Sequence, residues 1–192
     1  MLNPTTYTGL IISNVGYTGP QFMQMASGIA RGVTTFLTAS PTNIITSIDT
    51  GTPGAGAGVG VVLPATCTPA TLQGILAGSM AGAGVAGPMI SQLILGLSTA
   101  TCAFLLQAQS ITTHGGVGIG TGVGAFVGLS PANLNALILS NTGFSGPLWA
   151  NITTAFSTAL CIFLMTNVKL QISISGPSAS GAATGVGSGR LL

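Results

Sequence analysis

Residues 147–165 read PLWANITTAFSTALCIFLM, and the chain carries this stretch three times. The other copies are residues 20–38, PQFMQMASGIARGVTTFLT, and residues 88–106, PMISQLILGLSTATCAFLL. The three align without a gap; each follows a glycine, opens on proline and closes on Phe-Leu plus one residue. Proline suits the first turn of a helix, where its missing N–H would have no intrahelical partner. Apolar residues recur in columns at Phe22/Ile90/Trp149, Met25/Leu93/Ile152, Ile29/Leu97/Phe156 and Phe36/Phe104/Phe163. Steps of three, four and seven trace one stripe of an α-helix. Small residues stand four apart on an adjacent face, at Gly28/Gly96/Ala155 and Gly32/Ala100/Ala159. Such a face lets another backbone come close, so these six are the candidate helix-packing interface. One turn earlier stand Gln24, Gln92 and Asn151. Two readings of this column stay open: three separately solvated amides, or an amide cluster on a pseudo-threefold axis that sets register as a buried Asn does in coiled coils.

The repeat extends beyond the long helix. Pro4 falls on Pro131, Ser13-Asn14 on Ser140-Asn141, Gly16 on Gly143, and Gly58-Val59-Gly60 on Gly185-Val186-Gly187. The middle copy starts at Pro69 and carries a short insertion near residues 79–84. This divides the chain into units 1–64, 65–129 and 130–192, the last with a Gly/Ser-rich tail. At roughly 60 residues the unit is longer than common solenoid repeats. Each unit opens on a capping residue and a proline, Asn3-Pro4, Thr68-Pro69 and Ser130-Pro131, which predicts short helices over 4–13, 69–77 and 131–139. Glycine-rich turns lead into the long helix. Beyond it, residues 169–175, KLQISIS, alternate strictly and predict a strand, with weaker equivalents at 43–48 and 109–113. Glycine tracts follow at 54–62, 115–127 and 181–189, read as extended, closely stacked segments; residues 176–192 best suit a flexible tail. The expected fold class is α+β: three tandem pseudo-repeats, each helix–turn–long helix–strand–Gly-rich strand, arranged about a pseudo-threefold axis.

Charged residues make up 2% of the chain, against about 25% in an ordinary soluble domain. The inventory is Arg31, Asp49, Lys169, Arg190 and His114. No basic patch exists to displace counterions, which excludes nucleic-acid binding. Catalysis needs a base beside a nucleophile, paired carboxylates or a metal cluster. Here Asp49 and His114 occupy roughly corresponding post-helix segments, but the repeat duplicates neither. Gly120, Gly122 and Ala125 fit a loose G-x-G-x-x-A, expected by chance in so glycine-rich a tract, and no acidic residue follows to hold a ribose. Cys67, Cys102 and Cys161 lack C-x-x-C spacing and read as small core residues. The chain is therefore expected to be no enzyme, with no catalytic, cofactor-binding or metal-binding residue. Its N-terminus, MLNPTTYTG, has no basic segment or apolar run of the signal-peptide type.

A surface without charge must be covered by a neighbour, enter a membrane, or rely on Ser, Thr, Asn and Gln for solvation. The leading expectation is a structural subunit of a large assembly of the bacteriophage virion kind, in a tail, baseplate or tail tip. Its partners would be further copies or other subunits of the same particle, with no small-molecule substrate and no cofactor. The alternative is a pore, lysis or genome-delivery protein in the host membrane, because residues 87–107 and 147–166 are apolar over about a spanning length. The first copy argues against it: Gln21, Gln24 and Arg31 lie in the equivalent helix, and an arginine at mid-span costs about 2.5–3.5 kcal/mol. No Lys/Arg cluster or aromatic belt flanks the stretches either.

Overall fold

Among the described residues there are six helices, and each starts on a proline. They are α1 (Pro4–Val15), α2 (Pro20–Ala39), α3 (Pro69–Gly82), α4 (Pro88–Gln107), α5 (Pro131–Thr142) and α6 (Pro147–Asn167). The structure, a computed structural model, describes the backbone of residues 2–39, 45–52, 55–62, 67–117, 119–168, 170–175 and 183–191, and side chains over 2–38, 62, 67–109 and 124–168. The cap in front of the proline works in two units. Asn3 accepts the Thr5 N–H at 2.9 Å and Ser130 the Asn133 N–H at 3.3 Å, each satisfying a donor at the open helix end. Thr68 makes no such bond; its hydroxyl meets that of Thr71 at 2.7 Å. At the other end α1 and α5 stop on Gly16 and Gly143, left-handed at φ 70° and 65°, a conformation glycine adopts without a Cβ penalty. The insertion in the middle unit lengthens the helix itself. α3 has 14 residues where α1 and α5 have 12, and its left-handed glycine is Gly84.

The helices close into a ring. Within each unit the short helix packs on the long one; between units α2 packs on α3, α4 on α5 and α6 on α1. The long helices point the columns Ile29/Leu97/Phe156 and Phe36/Phe104/Phe163 inward, all buried. The short helices answer with Tyr7/Leu72/Leu134 and Ile11/Leu76/Ile138, four residues apart and equally buried, so both sides of the contact follow the period of the helix. Tyr7 stacks on Phe163 at a centroid separation of 5.1 Å, where α6 meets α1. Buried hydroxyls find partners inside their own helices. Thr34 donates to the Ala30 carbonyl, Ser98 to Ile94, Thr142 to Ile138 and Ser157 to Thr153, at 2.6–2.8 Å. Bonding back one turn lets Ser and Thr enter a core with no second polar group.

The expected α+β class is overturned. Of the residues described with their side chains, 78% are helical and 5% lie in strands; these residues form six helices and no sheet. Among the residues described with their side chains, the packed body is helical and not a set of three strand-containing repeats. The reason lies in composition: a tract such as AGAGVGVV (residues 55–62) has almost nothing to bury within one unit, and an isolated hairpin is marginal in water. Strands β1 (Ile45–Thr52), β2 (Ala55–Val62), β3 (Gln109–Val117), β4 (Ile119–Val127), β5 (Leu170–Ser175) and β6 (Ala183–Leu191) form antiparallel ladders in chain order, and β6 returns to β1. Half of these ladders join different units: β2 with β3, β4 with β5, and β6 with β1. Pairing across units removes the open edges that each hairpin alone would present. Among the residues described with their side chains, Val62 of β2 and Phe126 of β4 are buried against the helical body. Parts of the expected strand at 43–48, the glycine tracts and the C-terminal tail fall outside the described residues, as does the unit boundary at 64/65.

Candidate functional site

The residues singled out from the sequence gather at the junctions between units. Gly28 and Gly32 of α2 face α3. A Cβ on Gly28 would lie 2.8 Å from Met80 Sδ and 3.1 Å from Met80 Cα; one on Gly32 would lie 2.6 Å from Leu76 Cδ2 and 3.2 Å from Leu76 Cα. Gly96 of α4 faces α5 more closely still, with Thr142 Cγ2 at 2.5 Å, Thr142 Cα at 2.8 Å and the Asn141 carbonyl oxygen at 2.9 Å. The corresponding Ala100, Ala155 and Ala159 are buried. The short helix of the following unit therefore lies directly on the small face at both glycine-bearing junctions.

The amide column does not converge. Gln24, Gln92 and Asn151 are all exposed. Gln92 Nε2 donates to the Thr142 carbonyl at 2.7 Å, closing one of the carbonyls left open at the end of α5. Gln24, its counterpart, lies near Gly84, but the carbonyl matching that of Thr142 belongs to Met80, and it already accepts the N–H groups of Ala83 and Val85 at 3.1 and 3.0 Å. The insertion after α3 has taken Gln24's partner. Gln92→Leu is expected to cost about 1 kcal/mol, while Gln24→Leu stays within about 0.5 kcal/mol of the parent; thermal unfolding of the two variants checks the difference. Equal losses would show that Gln92 gains nothing from the Thr142 carbonyl.

The ring is sealed along its middle. Tyr7, Val33, Leu76, Thr101, Leu134 and Phe156, from all six helices, enclose a residual cavity of only about 10 Å³, at the limit of what one water molecule occupies. Hydrophobic side chains are instead exposed at the turn end, at Tyr17, Met23, Met89 and Leu148, and along the long helices at Leu95, Leu106 and Met165. Which apolar residues face outward is not legible in the repeat, which places Gln21, Met89 and Leu148 in one column.

Cys67, Cys102 and Cys161 are free and buried. Contact with the Cys67 thiol and, after it, burial push the Cys102 thiol up. Burial pushes Cys161 up from 9.0 to about 11 and holds the Tyr7 phenol well above its ordinary range. A raised acid pKa stabilises the fold fully below the unfolded value and loses that contribution as pH climbs through the folded value. The urea midpoint is therefore expected to fall between pH 9 and pH 11, and Cys161→Ala should flatten the fall without abolishing it, since Tyr7 acts with the same sign. An identical pH profile for the variant would remove Cys161 from the account.

Among the described residues no three of His, Cys, Asp and Glu gather into a metal-binding group. Asp49 lies on β1 opposite Gly58, and His114 on β3 opposite Gly56, so β2 runs between the two positions. Comparisons with protein-family models, curated proteins and solved structures find no match for this chain.

Proposed function

We propose that the protein is a non-enzymatic structural subunit of a large assembly of the bacteriophage virion kind, in a tail, baseplate or tail tip. The observation that carries this reading is the exposure of large apolar side chains on a surface almost devoid of charge. Met89 is 64% exposed, Leu148 57% and Leu95 50%, in a chain with 2% charged residues. Neighbouring subunits would cover such side chains, and a threefold-repeated chain suits threefold or sixfold axes. Ser, Thr, Asn and Gly take the place of charge on what stays wet.

One observation favours the membrane reading as a second choice. α4 and α6 are long and apolar enough to cross a bilayer, with mean hydropathy 1.8 and 1.6. About half of each is buried in the ring, and the described side chains leave only about 10 Å³ between them at its middle, so it would have to open before its helices could line a pore. Light scattering after size exclusion, on the chain expressed alone and lysed without detergent, tests both readings. The assembly reading expects a soluble species of discrete mass. Recovery only from the membrane pellet, with release by mild detergent, would overturn it in favour of the membrane.

A further inference from the structure

The repeat is broken at one place, and the break leaves a cleft. An aromatic pair stands five positions apart in the first unit, Tyr17 and Phe22, whose rings meet edge-on at 6.5 Å. The third unit repeats the contact with Phe144 and Trp149 at 5.2 Å. The middle unit has Val85 and Ile90 at these positions. There, between α2 and the turn joining α3 to α4, lies an open cleft of about 450 Å³, within the range of small-molecule sites. Its walls are Phe22, Met25, Val85 and Ile90, with the amide side chains of Gln21 and Gln24 along one side. No charged residue lines it. Gln92, the counterpart of Gln24, is committed to the Thr142 carbonyl. Gln24 has no hydrogen-bond partner among the described residues, because the backbone N–H groups of Ala83 and Val85 hold the carbonyl it would otherwise reach.

We infer that this cleft binds a small neutral aromatic molecule bearing one hydrogen-bonding group, of the indole or phenol class. The missing ring is the template: the ligand takes the position that Tyr17 and Phe144 hold in the other units, edge-on to Ile90 and over Phe22. The amides of Gln21 and Gln24 offer both a donor and an acceptor for its polar edge. Absence of charge in the lining selects a neutral ligand, since an ion would leave water without a counter-charge. The ligand is bound and not turned over; the site is independent of the assembly reading.

Calorimetric titration of the purified full chain with indole tests this, with phenol and cyclohexanol as comparisons. One site per chain is expected, with cyclohexanol at least tenfold weaker than phenol. Val85→Phe supplies the ring from the chain itself and should weaken indole at least tenfold. The double variant Gln21→Leu/Gln24→Leu removes both amides from the lining and should weaken phenol at least tenfold. No heat with indole up to its solubility, equal binding of cyclohexanol and phenol, or unchanged binding by Val85→Phe would each overturn the inference. If Val85→Phe does not fold, the Gln21→Leu/Gln24→Leu variant decides: phenol weakened at least tenfold supports the site, and unchanged phenol refutes it.

Discussion

Replacing Phe163 with alanine is expected to remove about 4 kcal/mol of stability, the cost typical of deleting a buried phenyl ring. A domain of this size has only about 5–15 kcal/mol in total. Phe163 is fully buried and belongs to the column Phe36/Phe104/Phe163. Its ring stacks on Tyr7, 5.1 Å away with the planes 22° apart. That pair lies where α6 returns to α1 and closes the ring, so the substitution removes packing between chain segments far apart in sequence. Phe163→Leu keeps most of the volume and should cost less than about 1.5 kcal/mol. Urea unfolding followed by circular dichroism measures both. An alanine variant as stable as the parent would mean that α1 and α6 are not held together through this pair.

Gly96→Leu is expected to be the next most damaging change, at about 3 kcal/mol, the upper end of the range for overpacking. What distinguishes Gly96 is the nature of its neighbours. Besides the Thr142 methyl group, backbone atoms of α5 stand 2.8 and 2.9 Å from where a Cβ would sit, and backbone cannot move without shifting the helix. At Gly28 and Gly32 the closest atoms are the ends of Met80 and Leu76, and the backbone is 3.1 and 3.2 Å away. Those side chains can change rotamer. Alanine also gains about 1 kcal/mol of helix propensity over glycine. Gly28→Ala and Gly32→Ala should therefore fall within about 1 kcal/mol of the parent, while Gly96→Ala remains clearly destabilised. Melting all three alanine variants side by side checks the order. A Gly96→Ala variant no worse than the other two would show that α4 and α5 are farther apart than described.

The helices are legible in the local pattern of residues. Their start at a capped proline, their apolar stripe and their small face are recorded within a turn or two of chain, because the hydrogen bonds and side-chain neighbours of a helix lie three or four residues apart. The threefold repeat was equally legible, from residues as specific as Gly19-Pro20, Gly87-Pro88 and Gly146-Pro147. Only the tertiary structure decided what each face meets. Gly28, Gly32 and Gly96 lie against the short helix of the next unit, and Gln92 reaches that helix's last carbonyl and not its counterparts on an axis. The alternation at residues 169–175 predicts a strand within the unit's own fold, whereas the body that packs among the described side chains is helical. Nor did spacing reveal that lengthening α3 would take the carbonyl from Gln24. Local period is set by backbone geometry and survives any change of partner. The choice of partner depends on how six helices close into a ring, and so on turn lengths and side-chain volumes summed over all three units, which no single window of sequence contains.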